Sequence, residues 1–365
     1  MRRHPSLYAL ACGLALWACT PPLHAATTSD TQPPAYGPQL EGFDYPWPVQ
    51  TYRFTSQRQT LDMAYLDVPA QHPNGQVAVL LHGKNFCAAT WEGTIQTLSA
   101  HGYRVIAPDQ VGFCKSSKPQ SYQFSFTQLA RNTHDLLHHL GVDKAIIIGH
   151  STGGMLAVRY ALMYPTDTAR LVLVDPIGLE DWLAKGVPYR TVDEWYARER
   201  GKTADQIRTY EKKFYYGDTW RPEYEKWVQM LAGMYRGGGS DQVAWNSALL
   251  YDMILTQPVV HNLPDLKVPT LLIIGDKDKT AIGSDSAPPA VRAQLGHYPT
   301  LGKAAAAALP NAPVTEFTTL GDCPQLADPD AFHTVFLAYL ATVRISAEFY
   351  HATLLNTYHT WLLFF

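Results

Sequence analysis

Long apolar runs, an excess of one charge and a cysteine framework are all missing from this sequence, and each absence excludes a class of protein. The N-terminal apolar run, Leu7 to Ala18, falls short of the roughly 20 residues a bilayer-spanning helix needs. A formal net charge of −3 over 365 residues, with no basic cluster, argues against a nucleic-acid partner or a polybasic membrane contact. Cys12 and Cys19 lie in the leader, so Cys87, Cys114 and Cys323 remain, and three cysteines allow at most one internal pair. Cys87 and Cys114 follow neighbouring strands; they are either joined or buried as free thiols. No metal-ligand spacing is present, since His138 and His139 are adjacent on a helix and face different ways. Nothing implies a cofactor.

What is there is enough chain for one large domain with an insertion, or for two ordinary domains. Arg2 and Arg3, the short apolar run, and small residues at Ala25 and Ala26 make residues 1–26 a signal peptide, which implies an exported, periplasmic or secreted protein. Leu16-Trp17-Ala18-Cys19 loosely follows a lipoprotein processing signal, so Cys19 is the alternative, lipid-anchored end. Residues 27–48, rich in proline, read as a linker or extended arm and not as core. Residues 343–365 follow no assignable pattern.

Between these ends the chain alternates buried strands with helical stretches. Tyr52 to Phe54 and Leu61 to Val68 alternate apolar and polar residues as half-buried antiparallel strands do. Val77 to Leu81 is a continuous apolar run, as in a central parallel strand, and Tyr103 to Ala107, Ile146 to Ile148, Leu171 to Val174 and Thr270 to Gly275 read as further strands of the same sheet. Helical spacing covers about Trp91 to His101 and Phe126 to Leu140. The expected fold is a mostly parallel sheet with helices on both faces, its core formed by residues 49–178 and 264–342. Residues 179–263 carry no buried-strand signal but are dense in Trp and Tyr. They read as a helical cap over the carboxyl ends of the strands, where open α/β sheets place their sites.

The strand Ile146-Ile147-Ile148 runs into Gly149-His150-Ser151-Thr152-Gly153 and straight on into a helical pattern. That arrangement is a nucleophile elbow: a serine on so sharp a turn needs glycines around it, and the following helix aims its free N–H groups at developing negative charge. With His82-Gly83 after the third strand, Asp109-x-x-Gly112-Phe113 after the fourth and Gly275-x-x-Asp278 after a late strand, the chain resembles the α/β-hydrolase family over about residues 50 to 340. The resemblance implies an eight-stranded sheet and a Ser–acid–His triad in that order. It implies Ser151 as nucleophile, Asp278 as acid with Asp276 as runner-up, and an oxyanion hole from the N–H groups of Lys84 and Thr152. Asp175, a position some members use for the acid, reads as a structural carboxylate.

The chain departs from the family at one place. Where the histidine should follow the last strand stands Leu320-Gly321-Asp322-Cys323-Pro324, so Asp322 occupies the base position. An aspartate is a weak base, with an ordinary pKa of about 3.9, and beside Asp278 it would repel or share a proton. His297, in Gly296-His297-Tyr298-Pro299, is the alternative base, although it precedes the last helix and strand; His333 reads as a helix-face residue. The function implied is an exported serine hydrolase that cleaves an ester or similarly activated carbonyl of an apolar small molecule. Carbon–carbon bond hydrolysis of an aromatic-degradation intermediate is one alternative, and a ligand-binding protein impaired by Asp322 is another.

Overall fold

A computed structural model describes Met1, residues 32–310 and residues 312–342. The expected signal peptide with Cys19 and the stretch 343–365 lie outside the described residues, and the fold belongs to the unit that begins at Pro34. Its centre is one eight-stranded sheet in the order β1-β2-β4-β3-β5-β6-β7-β8. The strands are β1 (Gln50–Ser56), β2 (Gln59–Val68), β3 (Val77–Leu81), β4 (Arg104–Pro108), β5 (Ala145–His150), β6 (Thr168–Val174), β7 (Thr270–Gly275) and β8 (Val314–Phe317). β2 is antiparallel to both of its neighbours, β1 and β4. The other contacts, β3 with β4 and β5 and onward to β8, are parallel.

The expected eight strands and their direction are therefore those of the protein, and the sequence pattern shows why. Every residue of β5 and β7 is buried, because helices cover both faces of a parallel sheet and leave no solvent side for a polar alternation. Two hydrophobic cores result, one on each face. Val79, Leu81, Ile147, Leu171 and Leu173 point into one, while Ala78, Leu80, Ile146, Ile148 and Val172 point into the other, as the period of two requires. The β1–β2 hairpin turns on Gln57 and Arg58, both at positive φ (49° and 63°), the twist that a two-residue hairpin demands.

The helices α1 (Glu92–Ala100), α2 (Phe126–His139) and α3 (Thr152–Met163) connect the parallel strands. The chain between β6 and β7 holds α4 (Val192–Arg200), α5 (Ala204–Phe214), α6 (Glu225–Arg236) and α7 (Ser240–Thr256). Two of them begin with full capping boxes, Thr191 with Glu194 and Thr203 with Gln206, which tie down the free amides of the first turn.

The proline-rich stretch differs from its expected character. Residues 34–48 form an arm, as expected, but the arm contributes to the core: Leu40 is fully buried and Phe43 nearly so. The Tyr36 amide donates to the Gly233 carbonyl and the Tyr45 hydroxyl to Asp109. Proline-rich composition signals an extended path; it does not tell whether that path is docked.

Of the two states open for Cys87 and Cys114, the structure has the disulfide, with a Cα–Cα distance of 5.9 Å and a sequence separation of 27. It ties the loop after β3 to the loop after β4. Closing a loop of that length contributes about 3–4 kcal/mol in the chain-entropy model. Replacing both cysteines by alanine is expected to lower the unfolding free energy by about that amount, and dithiothreitol should produce the same shift in the wild type. Urea titration with and without reductant checks it; an unchanged midpoint would show that the bond contributes nothing.

Candidate active site

Ser151 stands at the junction of β5 and α3 with φ 54° and ψ −117°. Non-glycine residues rarely adopt this conformation, which costs of order 1–3 kcal/mol and persists where the surroundings enforce it. Here they do. The Ser151 amide donates to the Val174 carbonyl of β6, and its own carbonyl accepts from Gly154 and Met155. The loop after β3 passes close above it, since a Cβ placed on Gly83 would lie 3.2 Å from the Ser151 Cβ and 3.0 Å from His150 Nδ1. Thr152 opens α3, so its amide belongs to the free donors of the helix start. Lys84 follows Gly83 in the loop over the elbow.

The acids lie at the carboxyl ends of neighbouring strands. Asp278 follows β7, is 1% exposed, and accepts from the Thr280 amide and hydroxyl at Oδ1. Asp322 follows β8 and is fully buried. Asp278 Oδ2 and Asp322 Oδ1 have no hydrogen-bond partner among the described residues. Burial and the facing Asp322 carboxylate push Asp278 well above the usual carboxylate range. Asp175, at the end of β6, takes the Gly275 amide at Oδ2. It is likewise raised by burial and then by Asp278 and Asp322. Asp276 is raised by burial and by Glu316.

Of the histidines singled out from the sequence, His297 lines a cavity with Asp276 and Asp278, and the other two are held by local partners. His297 is exposed, heads the helix Tyr298–Ala308, and its Nε2 bonds to the Ala293 carbonyl at 2.8 Å. His333 reaches the hydroxyls of Thr94 and Thr97 on α1. His82 spends both ring nitrogens locally, on the Gly83 carbonyl and the Gln110 amide.

Two other arrangements carry no signature in the sequence. The ring of His150, which precedes the nucleophile, places Nε2 2.8 Å from the Asp322 carbonyl and 3.0 Å from Asp322 Oδ2, and Cys323 Sγ lies 3.3 Å from the same carboxylate oxygen. The Lys84 side chain, beyond the amide expected to matter, reaches into the insertion. Its Nζ donates to Ser247 Oγ at 2.6 Å and sits 3.6 Å above the Tyr251 ring. Ser247 in turn donates to Glu199, which also accepts from Lys202 and Tyr235. Burial pushes Glu199 up, but the Lys202 and Lys84 ammoniums and the bonds from Lys202 and Ser247 outweigh it and hold it at about 2. Burial lowers Lys84 to about 7. Lys84, Phe86, Leu231, Met234, Ser247 and Leu250 line a cavity between the β3 loop and helices α6 and α7.

A stability signature follows from Lys84. Between pH 7 and its ordinary value near 10.4, the unfolded chain holds a proton that the native state has released, so stability rises with pH across that window. Lys84→Met is expected to remove part of this rise, and to stabilise more at pH 6 than at pH 9. Urea midpoints at pH 6 to 9 check it; parallel curves for the two proteins would refute it. Lys118, pushed to about 7 by the same burial, contributes equally in both and cancels in the difference.

A parallel sheet of this order, a serine on a strained strand-to-helix turn, a glycine loop above it and acids after β7 and β8 together define an α/β-hydrolase. The chain belongs to that family: the family model for the alpha/beta hydrolase fold matches residues 77–286. The crystal structure of "a probable hydrolytic enzyme" from Pseudomonas aeruginosa PAO1 is 60% identical, with a TM-score of 0.84 over 84% of this chain and 99% of that one. Lipase 1 of Psychrobacter immobilis is 30% identical over 230 residues, 60% of this chain and 69% of the lipase. The 2-hydroxy-6-oxo-6-phenylhexa-2,4-dienoate hydrolase of Burkholderia cepacia is 35% identical over 117 residues, 31% of this chain and 41% of that enzyme's length.

Proposed function

We propose that the protein is an exported serine hydrolase that cleaves an ester or similarly activated carbonyl of an apolar small molecule through an acyl-enzyme on Ser151. The observation that carries the reading is the strained Ser151 backbone under the Gly83 loop, a geometry that exposes a hydroxyl to a carbonyl and costs too much to keep without use. Ser151 Oγ bonds to the carbonyl carbon, the amides of Lys84 and Thr152 stabilise the oxyanion, and the alcohol leaves with the serine's proton. Water then releases the acid. In this reading Asp322, at the family's base position, takes that proton with Asp278 as the acid, and a carboxylate does this work slowly at neutral pH. The leader sequence and the Cys87–Cys114 bond support export, since disulfides persist in oxidising compartments.

Two other readings have observations behind them. The similarity to the dienoate hydrolase favours carbon–carbon cleavage of an aromatic-degradation intermediate. The facing carboxylates of Asp278 and Asp322 favour a binding protein with impaired turnover. Fluorophosphonate labelling of the purified protein, with release of p-nitrophenol from short esters, tests the proposal. Labelling that disappears in Ser151→Ala supports a serine hydrolase. An unlabelled, folded wild type that binds ester ligands overturns it in favour of the binding protein.

A further inference from the structure

We propose that His150, Asp322 and Cys323 form a site for a borderline-soft divalent cation of the Zn²⁺ type, beside the nucleophile. The three side chains are buried, and their ligand atoms His150 Nε2, Asp322 Oδ2 and Cys323 Sγ all lie within 4.8 Å of one another. Their separations are 3.0 Å (N to O), 3.3 Å (S to O) and 3.7 Å (N to S). Around a tetrahedral zinc with ordinary bond lengths the same edges measure about 3.3, 3.5 and 3.6 Å. The metal-free triangle thus matches one face of the coordination tetrahedron to about 0.3 Å. Imidazole, carboxylate and thiolate are the ligand types such a cation selects.

A second, independent observation points the same way. Asp322 Oδ1 and Asp278 Oδ2 are buried without a partner, and Asp175 Oδ1 on the adjoining strand end is unpartnered too. Hydrogen bonding within the cluster accounts for Asp322 Oδ2 but for none of these oxygens. A buried carboxylate short of donors is expensive, and a cation bound at Asp322 offsets the charge that Asp322 presents to Asp278 and Asp175. Three protein ligands leave the fourth position open, as in catalytic rather than structural zinc sites. On binding, the Cys323 thiol gives its proton to solvent and the His150 ring carries its hydrogen on Nδ1, which frees Nε2 to ligate.

Cobalt(II) titration of the full protein is the test, since Co²⁺ takes the same tetrahedral ligands and reports them by colour. The expected result is one equivalent bound, with visible bands of tetrahedral Co²⁺ and a near-ultraviolet thiolate-to-metal band, all displaced by Zn²⁺. Cys323→Ser should lose the thiolate band, and His150→Gln should weaken binding by more than the roughly 10–100-fold typical of a residue that only supports a ligand. No stoichiometric binding overturns the proposal, as does a thiolate band that survives in Cys323→Ser. Where the variants do not fold, the wild-type spectrum decides: bound Co²⁺ without a thiolate band also overturns it.

Discussion

Replacing Asp322 by histidine is expected to raise kcat/KM on short p-nitrophenyl esters by about 10²- to 10⁴-fold, the contribution of a well-placed general acid–base group. The physical case rests on Asp278. Its Oδ2 is buried without a partner and its carboxyl is pushed up by burial and by the Asp322 charge opposite. A histidine at 322 removes that charge and offers an N–H to orient against Asp278. It also supplies a base whose ordinary pKa near 6.5 suits neutral pH, where a carboxylate of about 3.9 does not. His150 keeps its bond to the backbone carbonyl of residue 322 at 2.8 Å, so the neighbouring ring stays anchored. Initial rates and fluorophosphonate labelling rates of wild type and Asp322→His, compared at one pH, check the prediction. A folded variant with less than a threefold gain would show that position 322 does not limit the reaction.

The parts of this molecule that were legible in the sequence are those set by local pattern. Ile146 to Ile148 and Leu171 to Val174 announce central strands because both of their faces are covered, and the glycines around Ser151 announce the elbow because only they fit it. What stayed hidden depends on distant segments meeting. His150 and Asp322 are 172 residues apart, and no spacing rule links them. The Lys84–Ser247–Glu199 chain joins a core loop to two helices of the insertion; lysine, serine and glutamate at such separations look like ordinary surface residues. His297 shows the opposite case, a local pattern without the expected place in the fold. Its Gly-His-x-Pro neighbourhood imitates the family pattern locally, but the fold sets it at the exposed start of a helix. The prolines around Leu40 and Phe43 have the pattern of a linker, whereas the apolar side chains between them find the core.

The elbow itself should tolerate no added carbon, and Gly149→Ala is expected to cost more than about 4 kcal/mol, beyond the usual range for core overpacking. A Cβ at position 149 would lie 2.1 Å from the Gly153 carbonyl oxygen and 2.7 Å from the Ala157 Cβ. Both obstacles belong to α3, one of them backbone, so no flexible side chain can move aside. The helix must shift away from β5, and its free amides shift with it. Gly153 offers no room for that shift to be shared, since a Cβ there would meet the Leu81 carbonyl oxygen of β3 at 2.1 Å. Gly93 provides the contrast: it is exposed in α1, and a Cβ there meets nothing within 4 Å. Gly93→Ala is accordingly expected to stabilise by about 0.5–1 kcal/mol through helix propensity and a restricted unfolded chain. Urea unfolding of both variants reads the two signs in one experiment. A Gly149→Ala protein that folds with a loss below about 1 kcal/mol, the scale of an ordinary surface change, would mean that strand and helix do not close on each other at Ser151.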